Sequence, residues 1–187
     1  MKLFIKNMVC NRCIKVVREE LEKLGYAVLT ISLGEAEIKE NPSSQNLLIV
    51  KKVLEENGFE LIEDKAAKLI ENIKTAIIQY VHHSRNDLSF NLSELIEEKF
   101  SNDYSYLSSL FSSTEGITIE HFFILQKIEK AKELLKYGDL TLSEIAYKLG
   151  YNSVNHLSSQ FKKVTGMTAS DFKKNTSVKR NPLDKVK

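Results

Sequence analysis

The chain has 187 residues, 42% of them hydrophobic and 28% charged, with a formal net charge of +2. That composition is ordinary for a soluble globular protein, and no run approaches the roughly 18 apolar residues that a spanning helix needs. The opening MKLFIKNMVC is too short an apolar stretch for a secretory signal and has no small-residue cleavage site, so a cytoplasmic protein with reduced cysteines and no membrane partner is expected. Charge is unevenly spread. Residues 1–64 carry 9 basic and 11 acidic side chains, whereas 139–187 carry 9 and 4, which points to a polyanion partner for the C-terminal end or to a solvated lysine-rich tail.

Residues 2–64 alternate between strand and helix patterns. KLFIKNM reads as a strand, and RCIKVVREELEKLGY sets Val16, Val17, Leu21 and Leu24 at helical spacing with Gly25 to stop it. AVLTISL is a second strand, Gly34 turns the chain, and EAEIKE pairs back. NPSS opens a helix with Leu47, Leu48, Val50, Val53 and Leu54, Asn57 and Gly58 stop it, and FELIE closes as a strand. This βαββαβ order is the ferredoxin-like layout.

Both cysteines, Cys10 and Cys13, lie at the first strand-to-helix junction. A helix N-terminus favours thiolate, and Arg12 between them lowers their pKa further. Two thiolates alone suit Cu(I) or another soft metal, whereas zinc normally takes four ligands. Its obvious recruits would be His82 and His83, which read equally well as a helix end. Three readings stand side by side: metal binding or sensing, a reversible disulfide, and a fold that keeps the residues while serving as an interaction or dimerisation platform. A thioredoxin-type site also places CxxC at such a junction, but the strand order after it is wrong and the chain has no tryptophan. In spacing and location NMVCNRC resembles the heavy-metal-associated domain, whose loop reads Gly-Met-x-Cys-x-x-Cys. Met8, Cys10 and Cys13 are in place and Asn7 stands for the glycine. NGFEL (57–61) matches that family's loop before the last strand, and the resemblance implies a metal held by Cys10 and Cys13 and shielded by Phe59.

The stretch from 65 to 89 connects the halves. Leu69, Ile73, Ala76, Ile77 and Tyr80 form one apolar face of a helix, which HSRND breaks.

Sliding the chain by 50 positions reveals an internal repeat. Residues 90–122 match 140–172 at 11 of 33 positions without a gap, including Leu107/Leu157, Phe111/Phe161, Gly116/Gly166 and Phe122/Phe172. Each copy reads as helix, tight turn, helix. Thr141 and Glu144 form a capping box flanked by Leu140 and Ile145, and Asn91, Glu94, Phe90 and Leu95 repeat the device. Gly150 suits a left-handed turn, and Ser153 starts a helix with Leu157 and Phe161 on one face and Asn155, Ser159 and Lys162 on the other. Between the copies, 122–138 places Ile124, Leu125, Ile128, Ala131, Leu134 and Leu135 in one buried stripe.

The run 127–174, with KIEKAKELL, SEIAYKLGY and LSSQFKKVTGMT, resembles the DNA-binding domain of the AraC/XylS transcription regulators. The resemblance covers about 90–174. It implies two helix-turn-helix units on a shared linker helix, entering successive major grooves roughly 34 Å apart. On that footing the second recognition helix is about 153–163. Val154, Asn155 and Ser159 would meet base edges, and Ser153, His156, Lys162 and Lys163 phosphates. The first, about 104–113, offers Ser105, Ser108 and Ser109. It departs from the second in three respects: Ile96 stands opposite Ala146, Ser112 and Ser113 replace Lys162 and Lys163, and Glu115 adds a negative charge. Ala169 stands where the family usually has proline, with Thr168 or Ser170 left to cap the last helix.

The expected organisation is thus a ferredoxin-like, heavy-metal-associated-like domain (1–64), a connecting helix and linker (65–89), an all-α double helix-turn-helix domain (90–174) and a disordered basic tail (175–187). The expected function is a sequence-specific transcription regulator responsive to a soft metal or to thiol redox state. Its expected partner is double-stranded DNA, with RNA polymerase and a second copy of the chain as further candidates. The rival is a metal carrier or chaperone-like protein whose helical half is a protein-interaction module. No nucleophile–base set, phosphate loop or paired-carboxylate motif argues for catalysis, so the chain is not expected to be an enzyme.

Overall fold

A computed structural model describes residues 1–62, 65–84, 91–100, 102–174 and 181–186. Phe90, which the sequence offers as a capping contact, and residues 85–87 of the expected HSRND break lie outside the described residues. Two compact units divide the chain, Met1–Thr75 and Ala76–Lys187.

In the first unit, strands β1 (Lys2–Lys6), β2 (Val28–Ser32), β3 (Glu35–Ile38) and β4 (Glu60–Ile62) alternate with helices α1 (Asn11–Lys23) and α2 (Ser44–Glu56) in the expected order. The sheet is antiparallel throughout, with strands ordered β2-β3-β1-β4. Pairing of Leu3 with Ala36 and of Ile5 with Leu61 aligns these residues on one buried face. Val17 and Leu21 of α1 and Val50 and Leu54 of α2 join them in one core, together with Met8 and Phe59. Leu48 does not belong to that core. It is 67% exposed, because the face of α2 that packs on the core holds Leu47, Val50 and Leu54, and Leu48 lies off that face. On the other sheet face, Phe4 lies beneath Lys68 Nζ at 3.9 Å.

Lys68 belongs to α3 (Lys65–Ile78), which runs into a π-helical turn, Gln79–His83. The boundary between the units falls inside α3, after Thr75, rather than at the expected positions 64 and 89. The helix has no apolar gap there: Ile70, Ile73, Ala76, Ile77, Ile78 and Val81 are all buried.

The second unit is helical: α4 (Leu92–Lys99), α5 (Tyr104–Glu115), α6 (Ile119–Tyr137), α7 (Leu142–Lys148), α8 (Val154–Thr165) and α9 (Ala169–Lys174). Helix α6 is its axis, packing against α5, α7, α8, α9 and the π-turn. The repeat is visible in matched aromatic pairs. Phe111 of α5 meets Phe122 of α6 at 5.8 Å, and Phe161 of α8 meets Phe172 of α9 at 5.5 Å.

Burial on α6 exceeds the expected stripe. Leu125, Ile128, Ala131 and Leu135 are buried, but so are Gln126, Lys127, Glu129 and Lys132, because neighbours surround the helix on several sides. Gln126, Glu129 and Lys132 have hydrogen-bonding or charged partners, and Lys127 lies against aromatic rings. Gln126 joins His82 Nε2 at 3.0 Å and donates to the Leu183 carbonyl at 3.2 Å, while Glu129 pairs with Lys132 and accepts from the Asn181 amide at 3.3 Å. These contacts correct the expectation of a disordered tail for the part that is described. Residues 181–186 lie on α6, Leu183–Lys185 form a 3-10 turn and Val186 is buried. The polar residues of α6 hold this segment, a kind of contact that apolar periodicity does not reveal.

Burial pushes Lys127 down to about 8 from 10.5, and the Tyr151 and Phe123 rings, 4.0 and 5.2 Å from its Nζ, offset part of the lost hydration. Between those two pH values the unfolded chain binds the proton more than the folded one, so this residue makes stability rise with pH. A Lys127→Met chain is expected to unfold at higher urea than wild type near neutral pH, and to lose that advantage above the unfolded value of 10.5. Urea midpoints across the pH range check it.

Candidate nucleic-acid interface and cysteine site

In the second copy the cap expected at Thr141 is present. Its hydroxyl accepts from the Glu144 amide at 3.3 Å and the Glu144 carboxylate accepts from the Thr141 amide at 2.7 Å. The chain turns at Gly150, whose φ of +63° is in the left-handed region, and Ser153 Oγ accepts from the His156 amide at 3.1 Å to start α8. Leu157 and Phe161 are buried, whereas Ser153, Asn155, His156, Ser159, Lys162 and Lys163 are exposed and Val154 is half-buried. The expected contact residues are therefore displayed on the solvent side of one helix. Tyr151, which sequence reasoning passed over, braces them. Its hydroxyl donates to Gln160 Oε1 at 3.0 Å, and the His156 ring stands edge-on to its ring at 5.3 Å. Thr168 supplies the last cap, its hydroxyl accepting from the Asp171 amide at 3.1 Å.

The first copy repeats the burial pattern, with Leu107 and Phe111 inside and Ser105 and Ser109 exposed; Ser108 is half-buried. Ile96 is as fully buried as Ala146, so this unit accommodates the larger side chain. Its chemistry differs. Asp103 caps α5, accepting from the Ser105 amide at 2.8 Å and from the Ser105 hydroxyl at 2.5 Å. Those bonds hold the Asp103 carboxyl below its ordinary range, so it stays ionised. Ser113 and Thr114 both donate to the Leu110 carbonyl at 2.9 Å. Helix α5 thus begins with a carboxylate and carries no cation, whereas α8 begins with a hydroxyl and ends with two lysines. The 50-residue offset that places Asp103 opposite Ser153 held this signal. The cap at Asn91 is also simpler than expected, its side chain accepting from the Ser93 amide at 3.4 Å.

In the first unit, Cys10 occupies the N-cap of α1 and Cys13 its first turn; both are unbridged, with their sulfurs 3.4 Å apart. The loop reaches this shape through Asn7, whose φ is +72°, a conformation that glycine takes freely and asparagine tolerates. Asn7 Nδ2 also donates to the Gly58 carbonyl at 3.0 Å, tying the cysteine loop to the turn before β4. Met8 and Phe59 are buried in the core against which Cys13 packs. Burial pushes the Cys10 thiol up, but the Cys13 amide and thiol, with the Arg12 amide and guanidinium, outweigh it and hold Cys10 below an ordinary thiol. Burial dominates at Cys13 and raises it. The described residues contain no group of three or more His, Cys, Asp or Glu able to hold a metal. His82 is otherwise engaged. It is bonded to Gln126, and burial lowers it to about 4. Alkylation should strike Cys10 before Cys13, with Cys10 reacting at a pH below that of a free cysteine. Peptide mapping by mass spectrometry after an iodoacetamide pulse checks the order.

Residues 98–175 match the helix-turn-helix domain family. An HTH-type transcriptional regulator from the cgkA 5' region of Pseudoalteromonas carrageenovora is 29% identical over 129 residues, covering 67% of this chain and 75% of that protein. YtdP of Bacillus subtilis, also an HTH-type transcriptional regulator, is 28% identical over 112 residues, 60% of this chain but 14% of its own length. A Streptomyces lividans protein described as AraC-like is 35% identical over 74 residues, 40% of this chain and 24% of that one. The chain therefore spans a small share of two of these three relatives. Among the described residues no helix is long and apolar enough to cross a membrane. With the two helix pairs on α6, the family match means that the C-terminal half of the chain carries a helix-turn-helix domain.

Proposed function

We propose that the chain is a transcription regulator of the AraC type that binds specific double-stranded DNA. One observation carries the reading: α8 exposes Asn155, Ser159 and Lys162 while burying Leu157 and Phe161, so a polar, cationic face stands free on a helix fixed from behind. In a major groove Asn155 can pair bidentately with adenine and Val154 can meet a thymine methyl. Lys162 and Lys163 at the end of the helix, with Ser153 and His156 at its start, take phosphates. Helix α5 is the weaker reader, since Asp103 repels phosphate and the Ser105 hydroxyl is already bonded to it. Selection from random duplexes is expected to enrich one motif. Asn155→Ala should relax a single position by about 1–3 kcal/mol. Lys162→Ala should weaken all sequences alike and lower the salt slope by about 0.9.

The reading extends to the first unit as a ferredoxin-like, heavy-metal-associated-like domain in which Cys10 and Cys13 hold Cu(I) or another soft ion. Support comes from the strand order β2-β3-β1-β4, the left-handed Asn7 in the place of the family's glycine, and a donor pair of two unbridged thiols. When bound, a soft ion would fix both sulfurs as thiolates across the strand-to-helix junction. Regulation then runs along α3 into the π-turn, where Tyr80 stacks on Phe123 at 6.3 Å and His82 meets Gln126, both on α6. Wild type should take up Cu(I), and its DNA affinity should move with the metal. A Cys10→Ser/Cys13→Ser chain should do neither while binding the same motif. Copper titration and DNA binding, measured separately, check the two halves.

A metal carrier with a protein-binding helical half is the competing reading. Asp103 at the head of α5 favours it and the lysine pair of α8 opposes it. Failure of every duplex to be enriched would bring it forward.

A further inference from the structure

Beside its outward face, α8 carries a second set of side chains along its flank with α6. Gln160, Lys163 and Val164 turn toward α6 and meet His121, Ile124 and Leu125 around an open cleft of about 330 Å³. Three of its lining side chains are apolar, three carry nitrogen, and no carboxylate lines it. A second cleft on this unit, beside α7, includes Glu144. Tyr151 donates to Gln160 Oε1 at 3.0 Å, which occupies the amide oxygen and leaves the NH₂ group to donate. Lys163 and His121 are exposed, and the His121 amide is bonded to Thr118 Oγ1 at 3.1 Å, which fixes the first turn of α6. Among the described residues, none of these three side chains has an acidic partner.

The first repeat has no such set. Leu110 and Ser113 stand at the positions of Gln160 and Lys163, and the Ser113 hydroxyl is spent on the Leu110 carbonyl at 2.9 Å. The donors therefore occur only where the second recognition helix meets the linker helix. A cleft with a cation, neutral donors and no carboxylate suits a phosphate. Two recognition helices set roughly 34 Å apart on one duplex leave a stretch of DNA backbone between them, beside the helix that joins them.

We propose that the α6–α8 cleft seats a phosphate of the bound DNA backbone, with Gln160, Lys163 and His121 as its donors. The linker helix is then itself a DNA-contacting element. This rests on the DNA-binding reading above. The contact is positional: it sets the register of α8 in its groove without reading a base.

The test uses the full chain, with the selected duplex and an unrelated one, over a series of salt concentrations. Gln160→Glu keeps an oxygen for Tyr151 but replaces the donor with a carboxylate, and thermal melting confirms that each variant is folded. Gln160→Glu is expected to weaken both duplexes by about tenfold or more, His121→Ala to weaken both by the same smaller factor, and Lys163→Ala to lower the salt slope by about 0.9. Titration with inorganic phosphate, followed by NMR at the Gln160 and His121 side chains, separates a backbone phosphate from a free anion; no saturation is expected. A wild type that binds DNA while Gln160→Glu and His121→Ala retain its affinity and slope overturns the phosphate seat alone. Saturation by inorganic phosphate with unchanged DNA affinity in Gln160→Glu overturns it as a DNA contact. A wild type that binds no duplex overturns the DNA-binding reading and the seat with it.

Discussion

The second unit depends on the burial of α6. A helix with Gln126, Lys127, Glu129 and Lys132 among its buried residues is unusual, because each such group must find a partner or lose its hydration uncompensated. Here His82, the 181–186 segment, an internal Glu129–Lys132 pair and the rings of Phe123 and Tyr151 serve that purpose. The same helix presents Phe122 to Phe111 and packs against α8 and α9, so one element determines where both helix pairs sit. The spacing of the two helix pairs is thus a property of α6, and on the proposed reading groups that bear on α6 bear on DNA binding. The π-turn is one of these, and it continues the helix that leaves the first unit.

Duplication supplied two copies of one scaffold, and charge has since separated them. The buried positions Leu107/Leu157 and Phe111/Phe161 are shared, while positions outside that core have diverged to Asp103/Ser153, Ser105/Asn155, Ser112/Lys162 and Ser113/Lys163. Packing tolerates little change in volume, so core residues persist, and the solvent face is open to substitution. The second copy has the polar and cationic set that a polyanion requires, and the first retains mainly the geometry. At the other end of the chain the cysteine loop shows a comparable economy. Asparagine holds the left-handed position and also binds across to Gly58, which glycine has no side chain to do.

Much of this was legible beforehand because it is local. A capping box, a glycine turn and an i, i+4 apolar pair depend on neighbours within a few residues, so Thr141–Glu144, Gly150 and Leu157/Phe161 could be read directly. Leu48 shows the limit of local reading: its spacing fits an apolar face, but the core covers the side of α2 that holds Leu47, Val50 and Leu54. The Ser105 hydroxyl looked available until the structure showed it bonded to Asp103. Tyr151 and Gln160 carried no visible signal, because their bond joins a turn to the far side of the next helix.

The amino-acid sequence by itself determined the order of the elements, the repeat, the caps of its second copy and the residues displayed by α8, since each follows from the period of a helix or strand and the conformational limits of single residues. Only the tertiary structure decided that α6 is buried on several sides, that the end of the chain lies on it, that the units divide inside α3, and that Gln160, Lys163 and His121 share a cleft. These are meetings of residues tens of positions apart. Which polar side chains converge depends on how helices cross, and periodicity along one helix carries no information about its crossing with another.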